Sequence, residues 1–313
     1  MVEKMSPERS MAGQSEVAGR LVVVDGHAYA YRAFHAIRSL SSPGGEPTNA
    51  IFGFIKMVER LRELWKPSHL AVVWDGGLAA ERVAELPGYK AQRPPMPESL
   101  ARQIEAIIGW IKPSGFHSLC REGVEADDWI ATLARGLAPE IGQVLIASSD
   151  KDFMQLVSDR IGLVNPSESV ARIWTAEDVV ARTGVRPEQV VDWLSLTGDA
   201  VDNILGVRGI GAKRAAELLR IFGSVDGIFE NLERVENTRM REVLREAQSA
   251  VRRNQRLIGL KDAGDPVDAS GLRTGPRDCA ALAALYECWG FRSLLEGLKK
   301  PQWRQDDLFA QVA

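Results

Sequence analysis

The sequence predicts an α/β fold, a mostly parallel sheet flanked by helices, joined to a C-terminal helical subdomain. Three observations predict it. Apolar runs of strand length recur near 21–25, 69–75, 143–148 and 161–165, separated by helical patterns. Three of these runs deliver an acid at or just past their carboxyl end, where a doubly wound sheet opens its crevice. Past Thr197 no β-like alternation returns, and helical patterns run to about residue 298.

Residues 1–20 (MVEKMSPERSMAGQSEVAGR) are polar, lack an apolar core of signal-peptide length, and read as a disordered tail. LVVV then closes on Asp25, LAVVW on Asp75, and VLIAS runs into Asp150 and Asp152. Continuous apolar runs of this kind suit strands buried on both faces. Between the second strand and a helix near 98–111 lies GGLAAERVAELPGYKAQRPPMPESL, too long and too rich in Pro, Gly and cations for a simple connection. It reads as an arch over the crevice, about 76–112. GVEADDWIATLA opens a helix on Glu125, Asp127 and Asp128, and LTGDAVDNILG puts Asp199 and Asp202 in a loop. GVRGIGAKRAAELL reads as a hairpin between helices, followed by a charged helix near 237–260 and helical segments near 277–298. The expected domains are an α/β core over 21–195, a helical subdomain over 196–298 and a flexible tail over 299–313.

With 313 residues, 45% of them hydrophobic, the chain can bury a substantial core. Net charge is −3, and setting nine proposed site acids aside leaves +6, a polarised molecule suited to a polyanion. Cys120, Cys279 and Cys288 are odd in number and lack C-x-x-C spacing, which argues against a disulfide framework or zinc ribbon and for a reducing cytoplasm. No run of about eighteen apolar residues occurs, so no membrane partner is expected.

The nine acids are Asp25, Asp75, Glu125, Asp127, Asp128, Asp150, Asp152, Asp199 and Asp202, with no histidine or arginine near enough in sequence to neutralise them. One such Asp is weak testimony, because Asp also caps helices and opens turns. Several strand ends meeting in one crevice are stronger, since unpaired carboxylates there would repel one another and take up protons. Oxygen-only ligands select a hard ion, so two Mg²⁺ are expected, with Mn²⁺ as a substitute. Such a pair, about 4 Å apart, activates water and stabilises the leaving oxygen of a phosphodiester.

Gly209 and Gly211 would let hairpin N–H groups approach a phosphate, with Lys213 and Arg214 facing the same backbone. A loop that merely needs two glycines before a helix is the bland alternative. In the arch, Tyr89 with Lys90 and Arg93 could stack on an unpaired base and draw in a phosphate, against the alternative of a solvated basic loop. Arg32 and Arg82 are further candidate phosphate ligands. His27, His35, His69 and His117 are scattered and read as structural, and the eight tryptophans read mostly as core.

On the motifs VDGHAYAYRAFHA, PTNAIFGF, AVVWDGG, GYKAQRPPMP, GVEADD, SSDKDFMQLV, LTGDAVDNILGVRGIGAKRAAELL and YECWGFRSLLEGL, the chain resembles the 5′ nuclease domain of bacterial DNA polymerase I, in the flap endonuclease family. The likeness covers about residues 20–298. It implies a PIN-like or resolvase-like core with a helix-hairpin-helix subdomain. Asp25, Asp75, Glu125 and Asp127 would surround one metal; Asp127, Asp128, Asp150, Asp152, Asp199 and Asp202 would supply the second, directly or through water. Arg32, Lys90 and Arg93 would handle the scissile phosphate, and the hairpin would grip duplex DNA with K⁺ among its carbonyls. His27 and Ala28 replace small hydroxyl residues, Gln92 stands where His or Asn is common, and Leu205 and Arg208 replace prolines frequent in the hairpin. A larger departure is the missing polymerase, so a freestanding enzyme is expected, acting as a monomer.

Gln305-Asp306-Asp307-Leu308-Phe309 is similar to the Q-x-x-L-F peptide by which bacterial replication proteins dock on the sliding clamp. Gln305, Leu308 and Phe309 would be its anchors. The expected activity is 5′→3′ exonuclease and flap endonuclease action on DNA with a 5′ flap, nick or 5′ end and on RNA primer–DNA hybrids, in primer removal and repair. Two other classes are a PIN-type ribonuclease, which lacks the hairpin, and a noncatalytic DNA scaffold, which would have lost ligands.

Overall fold

The computed structural model describes residues 19–166, 168, 170–264 and 268–299. The proposed clamp peptide, with Gln305, Leu308 and Phe309, and nearly all of the expected N-terminal tail lie outside the described residues. Gly19 and Arg20, placed in that tail from sequence, already belong to the first strand.

Five parallel strands form the sheet: β1 (Gly19–Asp25), β2 (His69–Trp74), β3 (His117–Cys120), β4 (Gly142–Ala147) and β5 (Ile161–Val164), in the order β3-β2-β1-β4-β5. Its helices are α1 (Gly26–Ala36), α2 (Asn49–Trp65), α3 (Ala80–Glu85), α4 (Glu98–Ile111) and α5 (Ala126–Ile141). Beyond it come α6 (Ala176–Thr183), α7 (Val190–Thr197), α8 (Ala212–Phe222), α9 (Val225–Glu230), α10 (Thr238–Ile258), α11 (Cys279–Trp289) and α12 (Arg292–Lys299). A two-residue antiparallel ladder, β6 (Gly198–Asp199) with β7 (Ile204–Leu205), interrupts this series, so the expectation of no β pairing past Thr197 is corrected.

Alternation along β1 builds both cores. Leu21 and Val23 face Ile130, Leu133, Ala134 and Leu137 of α5. Val22 and Val24 face Phe54 and Ile55 of α2 and Ile107 and Trp110 of α4. In α2 the buried residues Ile51, Phe54, Ile55, Val58 and Leu61 keep the spacing of one helical face. Each fully buried aliphatic or Phe side chain contributes about 1.5–3 kcal/mol relative to exposure. These packed faces therefore hold the strand ends rigidly.

The chain runs β1 to β3 on one side of the sheet and then crosses to β4 and β5 on the other. This places the switch of direction between β1 and β4. Ligands of open α/β sheets bind at this switch, outside the strands' carboxyl ends. Val24 pairs with both Val72 and Ala147, so Asp25, Asp75 and the 148–152 segment emerge at one edge. Gly76, directly after Asp75, is required by close approach: a Cβ there would lie 1.7 Å from the Arg121 carbonyl.

Candidate active site

Asp25 caps α1, accepting from the Ala28 N–H at 3.0 Å on Oδ1 and from the Ser148 hydroxyl at 2.9 Å on Oδ2. Burial, joined by the charges of Asp150 and Asp75, pushes its carboxyl up from 3.8 to about 6. Asp75 Oδ1 accepts the Ala126 N–H at 2.8 Å, which ties β2 to the start of α5. Its own N–H donates to His27 Nδ1 at 3.2 Å, and the imidazole packs edge-on against Trp74. His27 thus orients this corner, a structural role of the kind read from the sequence.

Asp150 caps a 3-10 turn over Lys151–Leu156 by accepting the Asp152 N–H at 2.9 Å, and Ser148 Oγ accepts the Asp150 N–H at 3.1 Å. Asp199 ends β6 and Asp202 lies in the turn between β6 and β7. One carboxylate oxygen each from Asp152, Asp199 and Asp202 lie within 4.8 Å of one another. Asp152 Oδ1 is buried with no hydrogen-bond partner, an acceptor left for a cation. Burial and neighbouring carboxylates raise the pKa of Asp127, Asp150 and Asp152, with Asp150 the leading neighbour for Asp127 and Asp152. Hard oxygen donors, an orphaned carboxylate atom and mutual repulsion together fit divalent cations.

No histidine or arginine neighbours these acids in sequence, but the fold brings cations to them. Lys90 Nζ lies 2.8 Å from Glu125, 3.9 Å from Asp127 and 4.0 Å from Asp202. Arg93 pairs with Asp202 at 2.7 Å, and Lys151 with Asp199 at 3.0 Å. Burial would lower the Lys90 ammonium pKa, but Asp127, Asp202 and Glu125 outweigh it and raise it. Burial would raise Glu125, yet Lys90 and then Arg82 hold it below its ordinary value. The turn carrying Lys90 is strained: Lys90 has φ 54, and its N–H donates to the Asp202 carbonyl at 3.1 Å. Asn203, with φ 58, donates to the Gly88 carbonyl at 2.8 Å and accepts from Gln92 at 3.0 Å. Gln92, a departure from the resembled pattern, is therefore a strut between arch and loop.

Three further expectations change. Arg82 does not face solvent, where a DNA contact would place it: only 2% exposed, it binds both Asp128 oxygens, at 2.6 and 2.8 Å, and Glu125 at 3.1 Å. Asp128 is correspondingly turned from the cation site, its Oδ1 also accepting the Lys261 N–H at 2.8 Å. Tyr89 is buried with its hydroxyl 3.0 Å from Glu125, so its ring stacks on no base in this conformation. Glu125 is the hub of these donors, while Arg32 lies half-buried on α1.

At the hairpin, Gly209 has φ +80, the left-handed conformation that favours glycine. Gly211 has φ −94 and open space around a built Cβ, so geometry does not demand glycine there. Lys213 and Arg214 are exposed in the first turn of α8, and Arg214 donates to the Gly209 carbonyl at 2.7 Å. A cavity of about 380 Å³ lies between this loop and the start of α10, lined by Arg208, Gly209, Arg214, Asn237 and Arg239 among others. Arg208 drew notice in the sequence only as a replacement for a proline, and Arg239 not at all; two Arg across one cavity become neighbours only through tertiary packing.

Carboxylates gathered at the switch point of a parallel sheet, beside a basic helical hairpin, define a metal-dependent nuclease. The family model described as the 5′-3′ exonuclease N-terminal resolvase-like domain matches residues 20–184, and that for the 5′-3′ exonuclease C-terminal SAM fold matches 185–278. The chain belongs to the 5′-3′ exonuclease family. A 5′-3′ exonuclease of Aquifex aeolicus is 40% identical over 214 residues, 68% of this chain and 73% of that protein. Thermostable DNA polymerase I of Thermus thermophilus is 38% identical over 283 residues, covering 90% of this chain and 33% of the polymerase. The chain thus spans about a third of the polymerase relatives' length. Among solved structures, the bacteriophage T5 D15 protein, co-crystallised with metal ions, aligns with TM-score 0.67 and 22% identity, covering 90% of this chain and all of that one. The catalytic core of Rad2 in complex with DNA substrate aligns with TM-score 0.62 and 14% identity over 92% and 93% of the two chains. These likenesses bear on the fold.

Proposed function

We propose that the protein is a structure-specific 5′→3′ exonuclease and flap endonuclease that hydrolyses DNA phosphodiesters with two Mg²⁺, replaceable by Mn²⁺, in primer removal and repair. One observation carries this: Asp25, Asp75, Asp127, Asp150 and Asp152 of the α/β half converge with Asp199 and Asp202 from beyond it. Asp152, Asp199 and Asp202 would hold one cation, and Asp25, Asp75, Asp127 and Asp150 would serve the other, with Glu125 ordering both sets. When bound, the cations supply polarisation of the phosphodiester and of the attacking water. Lys90 and Arg93 offset repulsion between the acids and an incoming phosphate, and Arg32 adds positive charge on α1. Cleavage of a flap duplex, a single strand and an RNA hairpin in Mg²⁺ tests this; cutting confined to the RNA hairpin would replace it with a ribonuclease.

Proton linkage gives an independent check. Asp25, raised to about 6, holds its proton more tightly folded than unfolded, so its stabilising contribution is full below 3.8 and is lost as pH rises through about 6. A bound cation offsets that loss. The gain in melting temperature on adding Mg²⁺ to chelator-treated protein is expected to be larger near about pH 7.5 than near about pH 5. Equal gains at both would contradict it.

Duplex phosphates would be held by the N–H groups around Gly209 and by Lys213, Arg214, Arg208 and Arg239, with K⁺ among the hairpin carbonyls. Arg208→Ala with Arg239→Ala is expected to weaken flap-duplex binding equally for all sequences and to flatten the salt dependence by about one unit of slope per lost contact. Sequence-dependent losses would argue for base contacts instead. Gln305, Leu308 and Phe309 would dock a monomer on the sliding clamp. Clamp pull-down with and without residues 305–309 decides this, equal capture removing the idea.

A further inference from the structure

We propose that Arg82 is a positioning residue for Glu125 and fastens the arch to the carboxyl end of α10, so that the acids take their working arrangement only when both halves are docked. This rests on the cation-dependent nuclease function above. An arginine has five N–H donors, and here all five are used. Nε donates to the Leu257 carbonyl at 2.9 Å; Nη1 donates to Glu125 at 3.1 Å and Asp128 at 2.6 Å; Nη2 donates to Asp128 at 2.8 Å and the Gly259 carbonyl at 3.2 Å. Burial alone would lower the guanidinium pKa, but Asp128 and then Glu125 hold it above its ordinary value.

The geometry joins three distant segments. Leu257 and Gly259 lie at the end of α10, where carbonyls lack helical partners and the helix dipole favours a cation. Glu125 and Asp128 open α5, and Arg82 itself lies on α3. Two exposed pairs, Glu85 with Arg256 and Glu81 with Lys261, flank the buried clip along the same α3–α10 seam. The Glu125 oxygen that Arg82 holds also receives the Tyr89 hydroxyl and the Lys90 ammonium. A displaced guanidinium would therefore release the arch residues along with Glu125. The other end of α10, about 30 Å away at 1.5 Å per residue, lines the basic cavity at the hairpin.

Arg82→Lys keeps the charge and loses the planar fork, whereas Arg82→Gln loses both. Both variants are expected to lower kcat on a flap duplex by about 10- to 100-fold, as loss of a group that orients a ligand does, with KM unchanged. Mn²⁺ titration followed by electron paramagnetic resonance reads the site without catalysis. Removing a nearby positive charge would by itself tighten Mn²⁺ binding, so weaker binding by Arg82→Gln marks disordered carboxylates. Arg82→Lys with normal kcat, or Arg82→Gln with tighter Mn²⁺ binding, would overturn the proposal. Should single variants fold poorly, Arg82→Leu combined with Asp128→Leu removes the buried charges together and is expected to regain the melting temperature but not kcat. Recovery of both would reduce the clip to a structural role. Were the unaltered protein inactive on flaps, the nuclease assignment would fall while the Mn²⁺ titration still judged Arg82.

Discussion

Exchanging Asp152 and Asp199 together for Asn is expected to reduce single-turnover cleavage of a flap duplex by at least about 10²–10³-fold, the cost of removing one well-placed group that stabilises transition-state charge. Their oxygens share a space of under 4.8 Å with Asp202, and Asp152 Oδ1 has no protein partner. Metal-free protein should melt at about the same temperature after the exchange, because relief of carboxylate repulsion offsets loss of the partly exposed Lys151–Asp199 pair. Duplex binding in Ca²⁺ should persist, since the hairpin is untouched. Turnover that stays near the original value would mean the cations, if any, are held elsewhere.

Asp128→Ala carries the opposite expectation for stability. It leaves the Arg82 guanidinium buried beside Glu125 without its bidentate partner, and breaking a buried pair costs about 3–5 kcal/mol. Urea unfolding measures the difference directly. Asp127→Asn, one residue earlier on α5, should instead stabilise the metal-free protein, because burial and Asp150 already drive that carboxyl toward protonation. Matching unfolding midpoints for the two variants would show that Asp128 is an ordinary member of the acid cluster.

These neighbouring acids show where sequence was informative and where it was not. Four strands were legible because β1, β2, β4 and β5 are apolar runs that the sheet buries on both faces. β3 was not: HSLC lies at the sheet edge, half-exposed and exposed in alternation, and its polar composition hides it. The grouping of acids followed from strand ends and topology, which place Asp25, Asp75 and Asp150 at one edge whatever the side chains do. Partner choice did not follow. Arg82 resembled any cation of a basic loop until α10, 175 residues further on, supplied the carbonyl that buries it. Tyr89 likewise read as an exposed aromatic beside cations, whereas Glu125 holds its hydroxyl inward. Contacts between residues that distant leave no periodic trace.

The boundary between the two matched family regions falls at residues 184 and 185, yet Asp199 and Asp202 lie past it and complete the trio with Asp152. Both packed clusters cross that boundary, so truncation there would open the core as well as the centre: the first fragment would keep most of the acids, the second their missing neighbours and the carbonyls that anchor Arg82. Neither half is a minimal enzyme. Grafting one half onto a foreign counterpart would require transplanting both sides of the seam.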